Sequence, residues 1–284
     1  MHSKNTLLRR LPRPLADILV EGRNVLLRLL SPFDRLWLIV NGKGAWPPIW
    51  LRRYAGPLRT FDSAAAEFSL LLKIAANLRS NHAILDLGCG CGALALQLAD
   101  YLRPERGGRY VGIDIHAPSI RWCQRHLQRP GFSFVRLDAY NSAYNPGGKM
   151  DFDYRAALAR LGKFNTVVAK SLFTHLRPEA CSAYLQAVKD VLEPDGLFVF
   201  SIFAFESQDQ LDNAAIAFKF GDAHFRYAYA HRIESAVAFS RAWLDRALSE
   251  AGLTIKARYP GTWQAAEEGL SFQDIFVVAP RAAH

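Results

Sequence analysis

The sequence predicts an α/β protein built on a doubly wound, mostly parallel sheet, with a helical extension in front of it. Two observations carry that prediction. From residue 84 to residue 202, runs of strand length alternate with runs of helical periodicity, which is how successive strand-helix-strand units read when their strands lie parallel. The first of these strands, Ile84-Leu-Asp-Leu87, passes at once into Gly88-Cys-Gly-Cys-Gly92 and then into a helix, and glycines in such a turn let backbone approach a ligand closely. In an open parallel sheet the ligand lies beyond the carboxyl ends of the strands, so acids that close those strands are candidates for binding it.

Taken from the amino end, Leu15, Ile18, Leu19, Val25, Leu26, Leu29 and Leu30 recur at helical spacing with Asp17, Glu21, Arg23 and Arg28 opposite them. Residues 14–30 are therefore expected to form an amphipathic helix. Up to residue 45 eight basic residues stand against three acidic ones, within a net charge of +9 for the chain. Such a segment suits an anionic membrane surface, or packing against its own core or a partner subunit. Pro47-Pro48 and Gly56-Pro57 make 45–60 a connector, which separates an extension, residues 1–45, from a ligand-binding domain, residues 46–284. The apolar positions of Phe61 to Arg79 predict a helix there, and the leucines at 94, 96, 98 and 102 predict one over 92–102. Tyr110-Val-Gly-Ile-Asp114 reads as a strand over 109–114, followed by a helix over 117–128 and a strand over 132–137. Residues 138–150 are irregular, and then come a helix over 153–161, a strand over 164–169, a helix over 178–192 and a strand over 196–202. The stretch 203–232 breaks the alternation and carries Phe203, Phe205, Phe218, Phe220, Phe225, Tyr227 and Tyr229. An aromatic acceptor lid and ordinary core packing are both open for it. A helix over 240–251 and strands over 253–259 and 271–279 close the domain.

Half of the 284 residues are hydrophobic (50%), enough to bury a full core, and no apolar run reaches the roughly 18 residues of a membrane span. Cys89, Cys91, Cys123 and Cys181 lack the paired spacing of a zinc site. Free thiols in a reducing compartment, and hence a cytoplasmic location, are the expectation. Arg9-Arg10 is followed too soon by Asp17 and Glu21 to serve as an export signal.

Gly88-Cys-Gly90-Cys-Gly92-Ala93 formally satisfies the dinucleotide pattern G-x-G-x-x-G/A. Asp86 argues for a different cofactor, because a carboxylate two residues before the first glycine repels a pyrophosphate and suits a ligand whose near end is cationic. Asp114 closes the second strand, where a carboxylate can take ribose hydroxyls, and Asp138 follows the third. A lone acid at a strand end is most often a cap or a turn former. Three in succession, with a glycine turn after the first strand, form a more specific pattern.

The D-x-G-x-G form of Asp86 to Gly90 resembles the first motif of the class I S-adenosylmethionine methyltransferases, whose sheet has seven strands with an antiparallel last one. The resemblance implies S-adenosylmethionine as cofactor and residues 46–284 as the methyltransferase domain. It places Asp86, Gly88, Cys89, Gly90, Gly92, Asp114, Ile115, Asp138, Ala139 and Lys170 around that cofactor. Asp114 would take the ribose, Asp138 the exocyclic amine of adenine, and the backbone of Ala139 the ring edge. Tyr140-Asn-Ser-Ala-Tyr-Asn-Pro-Gly147, Ser171-Leu-Phe-Thr-His-Leu176 and Tyr259-Pro-Gly-Thr-Trp263 resemble a bacterial subgroup associated with glycan or secondary-metabolite pathways, which fixes no acceptor. Lys170 departs from the pattern, since a neutral residue is expected at the end of the fourth strand.

Methyl transfer from a sulfonium is an in-line displacement, so most of the work lies in holding acceptor, methyl and sulfur aligned in a dry pocket. An oxygen acceptor must also lose a proton. His175, on the loop that opens the helix over 178–192, is the candidate base, with capping or filling that loop as its structural alternative. His116 and His224 are weaker candidates. Val167-Val-Ala-Lys170 has neither the Asn/Asp-Pro-Pro-aromatic sequence of exocyclic-amine enzymes nor the carboxylate of metal-dependent catechol-type enzymes, so no metal is expected. The resulting expectation is metal-independent O-methylation of a small-molecule, glycan or lipid-linked acceptor, with membrane contact through residues 1–45. RNA methylation and a non-catalytic S-adenosylmethionine-binding scaffold are the alternatives. Nucleic acid is disfavoured because the arginines of the extension flank leucines without interleaved aromatics.

Overall fold

The computed structural model describes residues 22–230, 232–264 and 268–281. The chain divides into two compact units, Met1–Ala64 and Ala65–His284. In the first, residues 22–29 are helical and a second helix, Ser31–Val40, follows almost directly. Residues 14–21 of the expected amphipathic helix lie outside the described residues. The connector over 45–60 holds a short helix, Ile49–Arg52, and two 3-10 turns. Asp34 organises it: its carboxylate accepts from the Ile49 N–H at 2.9 Å and from the Arg52 guanidinium.

Among the described residues of the second unit, ten strands form one sheet. They are β1 (Ala83–Leu87), β2 (Arg109–Asp114), β3 (Phe132–Arg136), β4 (Phe164–Ala169), β5 (Leu192–Phe205), β6 (Phe220–Gly221), β7 (Phe225–Tyr227), β8 (Val237–Ser240), β9 (Leu253–Tyr259) and β10 (Asp274–Pro280). The order β3-β2-β1-β4-β5 is parallel throughout, and β10 then pairs antiparallel with both β5 and β9. These seven are the strands read from the sequence, with the antiparallel one last. Three short strands are additional: β8 runs parallel to the end of β5, β7 pairs antiparallel with β8, and β6 pairs antiparallel with β7. Runs this short carry too little alternation to be seen in a sequence window.

Helices cover both faces, so β1 is apolar on both sides rather than alternating. Leu85 and Leu87 pack into one layer with Val167, Phe198 and Phe276, while Ile84 packs into the other with Tyr110, Phe134 and Val199. Each such side chain contributes about 1.5–3 kcal/mol by leaving water. Two helices are shorter than their leucine patterns suggest. The helix over Phe61–Ala75 stops because Asn77 turns left-handed (φ 47°) and the Leu78 amide returns to the Leu72 carbonyl at 3.1 Å. The helix Ala93–Leu98 stops where the amides of Tyr101 and Leu102 both turn back to the Leu98 carbonyl. Leu102 stays buried beyond the helix end, so the leucine period continued as core without continuing as helix.

The aromatic residues at the end of β5 and after it divide between two roles. Phe203, Phe205 and Phe218 are buried in a third cluster with Leu211 and Trp263. Phe220, Phe225 and Tyr227 stack along the β6–β7 hairpin and are only partly covered.

Candidate functional site

The glycine turn leaves β1 with three left-handed residues, Gly88 (φ 73°), Gly90 (φ 54°) and Gly92 (φ 83°). L side chains rarely adopt that region, so the turn requires glycine for its shape as well as for clearance. A Cβ on Gly92 would also lie 2.4 Å from Leu127 Cδ1. The chain holds the turn by its own amides: the N–H groups of Gly88 and Cys89 donate to the Ile113 carbonyl at 2.8 and 3.0 Å, and the Gly90 N–H donates to Asp114 Oδ2 at 2.8 Å. These amides therefore tie the turn to β2. Cys89 is buried beneath it and its thiol is pushed up by that burial.

Asp86 and Asp114 lie on neighbouring strands at the mouth of this turn. Asp86 is 3% exposed and accepts a hydrogen bond from the Tyr110 hydroxyl. Burial pushes its carboxyl up to about 7, assisted by the Asp114 charge and opposed by the Tyr110 hydrogen bond and by Lys170. Asp114 also accepts from the His116 amide at 2.7 Å, yet burial outweighs these donors and its carboxyl is raised too. Ile115, beside it, packs against the main core. Asp138 is different, with its side chain 48% exposed and its Oδ1 shared by Arg136 and the Asn145 amide, both at 3.2 Å. Ala139 next to it is buried, and its carbonyl accepts from Asn145 at 3.0 Å. The irregular stretch after β3 is thus a folded loop tied by Asn141 and Asn145.

Lys170 follows β4 directly. Its ammonium lies 5.7 Å from the Phe68 ring centre, and burial lowers it to about 8 against the carboxylates of Glu67 and Asp86. His175 ends a 3-10 turn, Phe173–His175, and its Nδ1 lies 2.9 Å from the Glu234 carbonyl oxygen. A carbonyl only accepts, so Nδ1 carries the proton and Nε2 is left as the acceptor. Burial lowers this imidazole, which favours the neutral form that a base needs. His116 instead precedes its helix with Nδ1 2.7 Å from Ser119 Oγ, and His224 is exposed.

Glu234 joins three loops. Its carboxylate accepts from Ser142 N–H and Oγ–H and pairs with Arg177, while its carbonyl holds His175; the Asn141 amide in turn reaches the His175 carbonyl at 3.3 Å. Sequence reasoning missed Glu234, Asn145 and Tyr110. Tyr110 had a faint signal, since it sits on the strand beside β1, but nothing local marks Glu234, which lies 92 residues from Ser142.

Two acids and a glycine turn at the carboxyl edge of a parallel β3-β2-β1-β4-β5 sheet define the class I methyltransferase architecture. Residues 78–219 match the family described as methyltransferase domain, and the chain belongs to that family. The matched region is thus a methyltransferase domain. The residues fit S-adenosylmethionine, whose ammonium and sulfonium groups are cationic: the carboxyls of Asp86 and Asp114 stand at the turn, and the amides of Gly88, Cys89 and Gly90 are already taken up by Ile113 and Asp114. The chain is similar to a phthiotriol/phenolphthiotriol dimycocerosates methyltransferase of Mycobacterium ulcerans, 31% identical over 43% of this chain and 38% of that one. It is also similar to a fatty-acid O-methyltransferase of Mycolicibacterium smegmatis, 30% identical over 42% of this chain and 36% of the relative. The matches thus span well under half of either relative. Among solved structures, 1,6-didemethyltoxoflavin-N1-methyltransferase of Burkholderia thailandensis is 20% identical with a TM-score of 0.49, covering 81% of this chain and 84% of that one.

Proposed function

We propose that the chain O-methylates a lipophilic small-molecule or lipid-linked acceptor without a metal. The observation that carries the reading is His175, a partly buried imidazole whose Nδ1–H is fixed on the Glu234 carbonyl and whose neutral form is favoured, so that Nε2 can accept a proton. The names of the two mycobacterial relatives, a phthiotriol/phenolphthiotriol dimycocerosates methyltransferase and a fatty-acid O-methyltransferase, favour a lipophilic acceptor. Metal independence is supported by Lys170, a cation at the strand end where a metal site would need a carboxylate.

In this reading Asp86 and the turn from Gly88 to Gly92, with Cys89 beneath, hold the methionine end of the cofactor. Asp114 and Ile115 face the ribose, and Asp138 with Ala139 the adenine. Bound S-adenosylmethionine supplies a methyl group on a positively charged sulfur. Asp86 offsets positive charge beside the turn, and His175 removes the acceptor proton. The β6–β7 hairpin, with Phe220, Phe225 and Tyr227, forms a wall on the acceptor side. We also infer that residues 1–45 contact an anionic membrane surface. The described part of that segment exposes Leu29, Phe33 and Val40 by 69, 73 and 77% beside Arg23, Arg28 and Arg35, and no helix among the described residues is long and apolar enough to cross a membrane.

Incubating the full chain with S-adenosylmethionine and a panel of long-chain carboxylic acids and hydroxylated lipids tests the acceptor, with mass spectrometry of products. A product heavier by one methyl on oxygen, formed equally well with a chelator present, is expected. Methylation confined to nitrogen or to RNA would overturn the reading.

A further inference from the structure

Glu234 presents the two ends of one residue to different loops. It sits in the 3-10 turn Ile233–Ser235 and is 5% exposed. A carboxylate buried beside a histidine most simply pairs with the ring, yet here the ring is taken by the main-chain carbonyl, with Nδ1 2.9 Å from it. The carboxylate is engaged elsewhere: Oε2 accepts from the Ser142 N–H at 3.0 Å and from its hydroxyl, and Oε1 accepts from Arg177 Nε at 3.3 Å. A carbonyl selects the tautomer of an imidazole only if its own peptide is held at a fixed angle, because hydrogen bonds weaken steeply off line. A three-residue 3-10 turn has poor hydrogen-bond geometry and holds its peptides weakly by itself. The side chain of Glu234 supplies the missing restraint.

Ser142 in turn belongs to the loop after β3. Asn141 and Asn145 exchange backbone hydrogen bonds at 3.2 and 3.0 Å, Asn141 Oδ1 accepts from the amides of Ala143 and Tyr144 at 3.0 and 3.1 Å, and Asn145 Nδ2 donates to the Ala139 carbonyl at 3.0 Å. The same loop reaches the His175 segment a second time, where Asn141 Nδ2 donates to the His175 carbonyl at 3.3 Å. The Tyr144 ring meets the imidazole edge-on, with ring centres 5.9 Å apart.

Resting on the reading of His175 as the base, we propose that Glu234 is its positioning residue: the carboxylate, anchored on Ser142 and Arg177, fixes the carbonyl that keeps a proton on Nδ1 and leaves Nε2 to receive the proton of the acceptor. The loop assigned above to adenine thereby also sets the orientation of the base. A purely structural carboxylate would cost the same stability when removed, but it would not change which ring nitrogen carries the proton.

Nitrogen-15 histidine spectra of the full chain, taken above the pH range in which imidazoles titrate, read that proton directly, and His175→Gln assigns the signal by its loss. Wild type should show His175 as the Nδ1–H tautomer. Glu234→Ala, which keeps the main-chain carbonyl and removes only the carboxylate, should move the signal to the Nε2–H tautomer or to a mixture, with S-adenosylhomocysteine affinity nearly unchanged by calorimetry. Ser142→Ala should produce the same change in smaller measure, and Ser142→Thr, which restores the hydroxyl, should reverse it; these two substitutions decide the matter should Glu234→Ala fold poorly. An unshifted Nδ1–H tautomer in both alanine variants overturns the positioning role and leaves the base reading standing. A wild-type ring protonated on Nε2 overturns both. A shifted tautomer in the alanine variants with undiminished turnover in His175→Ala would show that Glu234 sets the ring and overturn the base reading.

Discussion

Asp86 lies buried beneath the glycine turn with its carboxyl pushed up to about 7, so its charge state changes close to neutrality. The folded protein holds this proton to higher pH than an unfolded chain, whose aspartates titrate near about 4, so this group makes the fold less stable as pH rises between those values. A ligand with a cationic end favours the ionised carboxyl. Affinity for S-adenosylmethionine should therefore rise with pH up to about 7 and then level, with Tyr110, Asp114 and Lys170 the other ionisable groups acting on the site. Asp86→Asn should flatten that profile and weaken binding by roughly 1.5–3 kcal/mol, both read by calorimetry across the pH range. At His175 the expected effect is on turnover. His175→Ala should lower kcat by roughly a hundredfold with cofactor affinity nearly unchanged. Equal loss of cofactor binding in that variant would assign His175 to holding the loops together.

Among the elements, the helical segment from residue 22 to residue 40 departs furthest from what a buried helix presents. Leu26, Leu30, Phe33, Trp37 and Val40 recur at spacings of four and three along it, all exposed, whereas Leu38 is buried and Asp34 is turned to Arg52. Arg23, Arg28 and Arg35 supply positive charge on the same segment. Each basic residue near an anionic surface contributes about 1 kcal/mol, and partial burial of the apolar stripe adds to it. The full chain should co-sediment with phosphatidylglycerol vesicles at low salt, and replacing Leu29, Phe33 and Trp37 together by serine should abolish this without altering S-adenosylhomocysteine binding. Sedimentation that is absent in the wild type, or unchanged in the triple variant, would reassign the stripe to a protein contact.

At the scale of the catalytic unit, Asp274 joins the main sheet to the segment added after β5. It opens β10, is 1% exposed, and accepts from Ala204 N–H at 3.0 Å, Gly261 N–H at 3.0 Å and Trp263 Nε1–H at 2.7 Å. Asp274→Ala would leave three buried donors without their acceptor, each costing about 1–3 kcal/mol. The expected outcome is a loss of several degrees or more in Tm, with Asp274→Asn intermediate because one carbonyl acceptor remains. A thermal melt unchanged by the alanine substitution would show that water or rearrangement satisfies these donors.

The sequence by itself determined the seven-stranded plan, the place of the glycine turn, and the acids at 86 and 114, because each is written in neighbouring residues. A strand flanked by helices is a continuous apolar run, and a left-handed turn needs glycine at fixed offsets. Only the tertiary structure decided what those acids experience. The rise of Asp86 comes from its burial and the Asp114 charge, set against the Tyr110 hydroxyl and Lys170 that other segments bring beside it, and the tautomer of His175 depends on a carbonyl 59 residues away. The three short strands after β5 were likewise invisible, since they exist by pairing with the end of β5 and with one another rather than by any pattern of their own. Local periodicity encodes which face of an element is buried; the electrostatics of a site arise from charges that the fold brings together, and their separation along the chain carries no trace of that meeting.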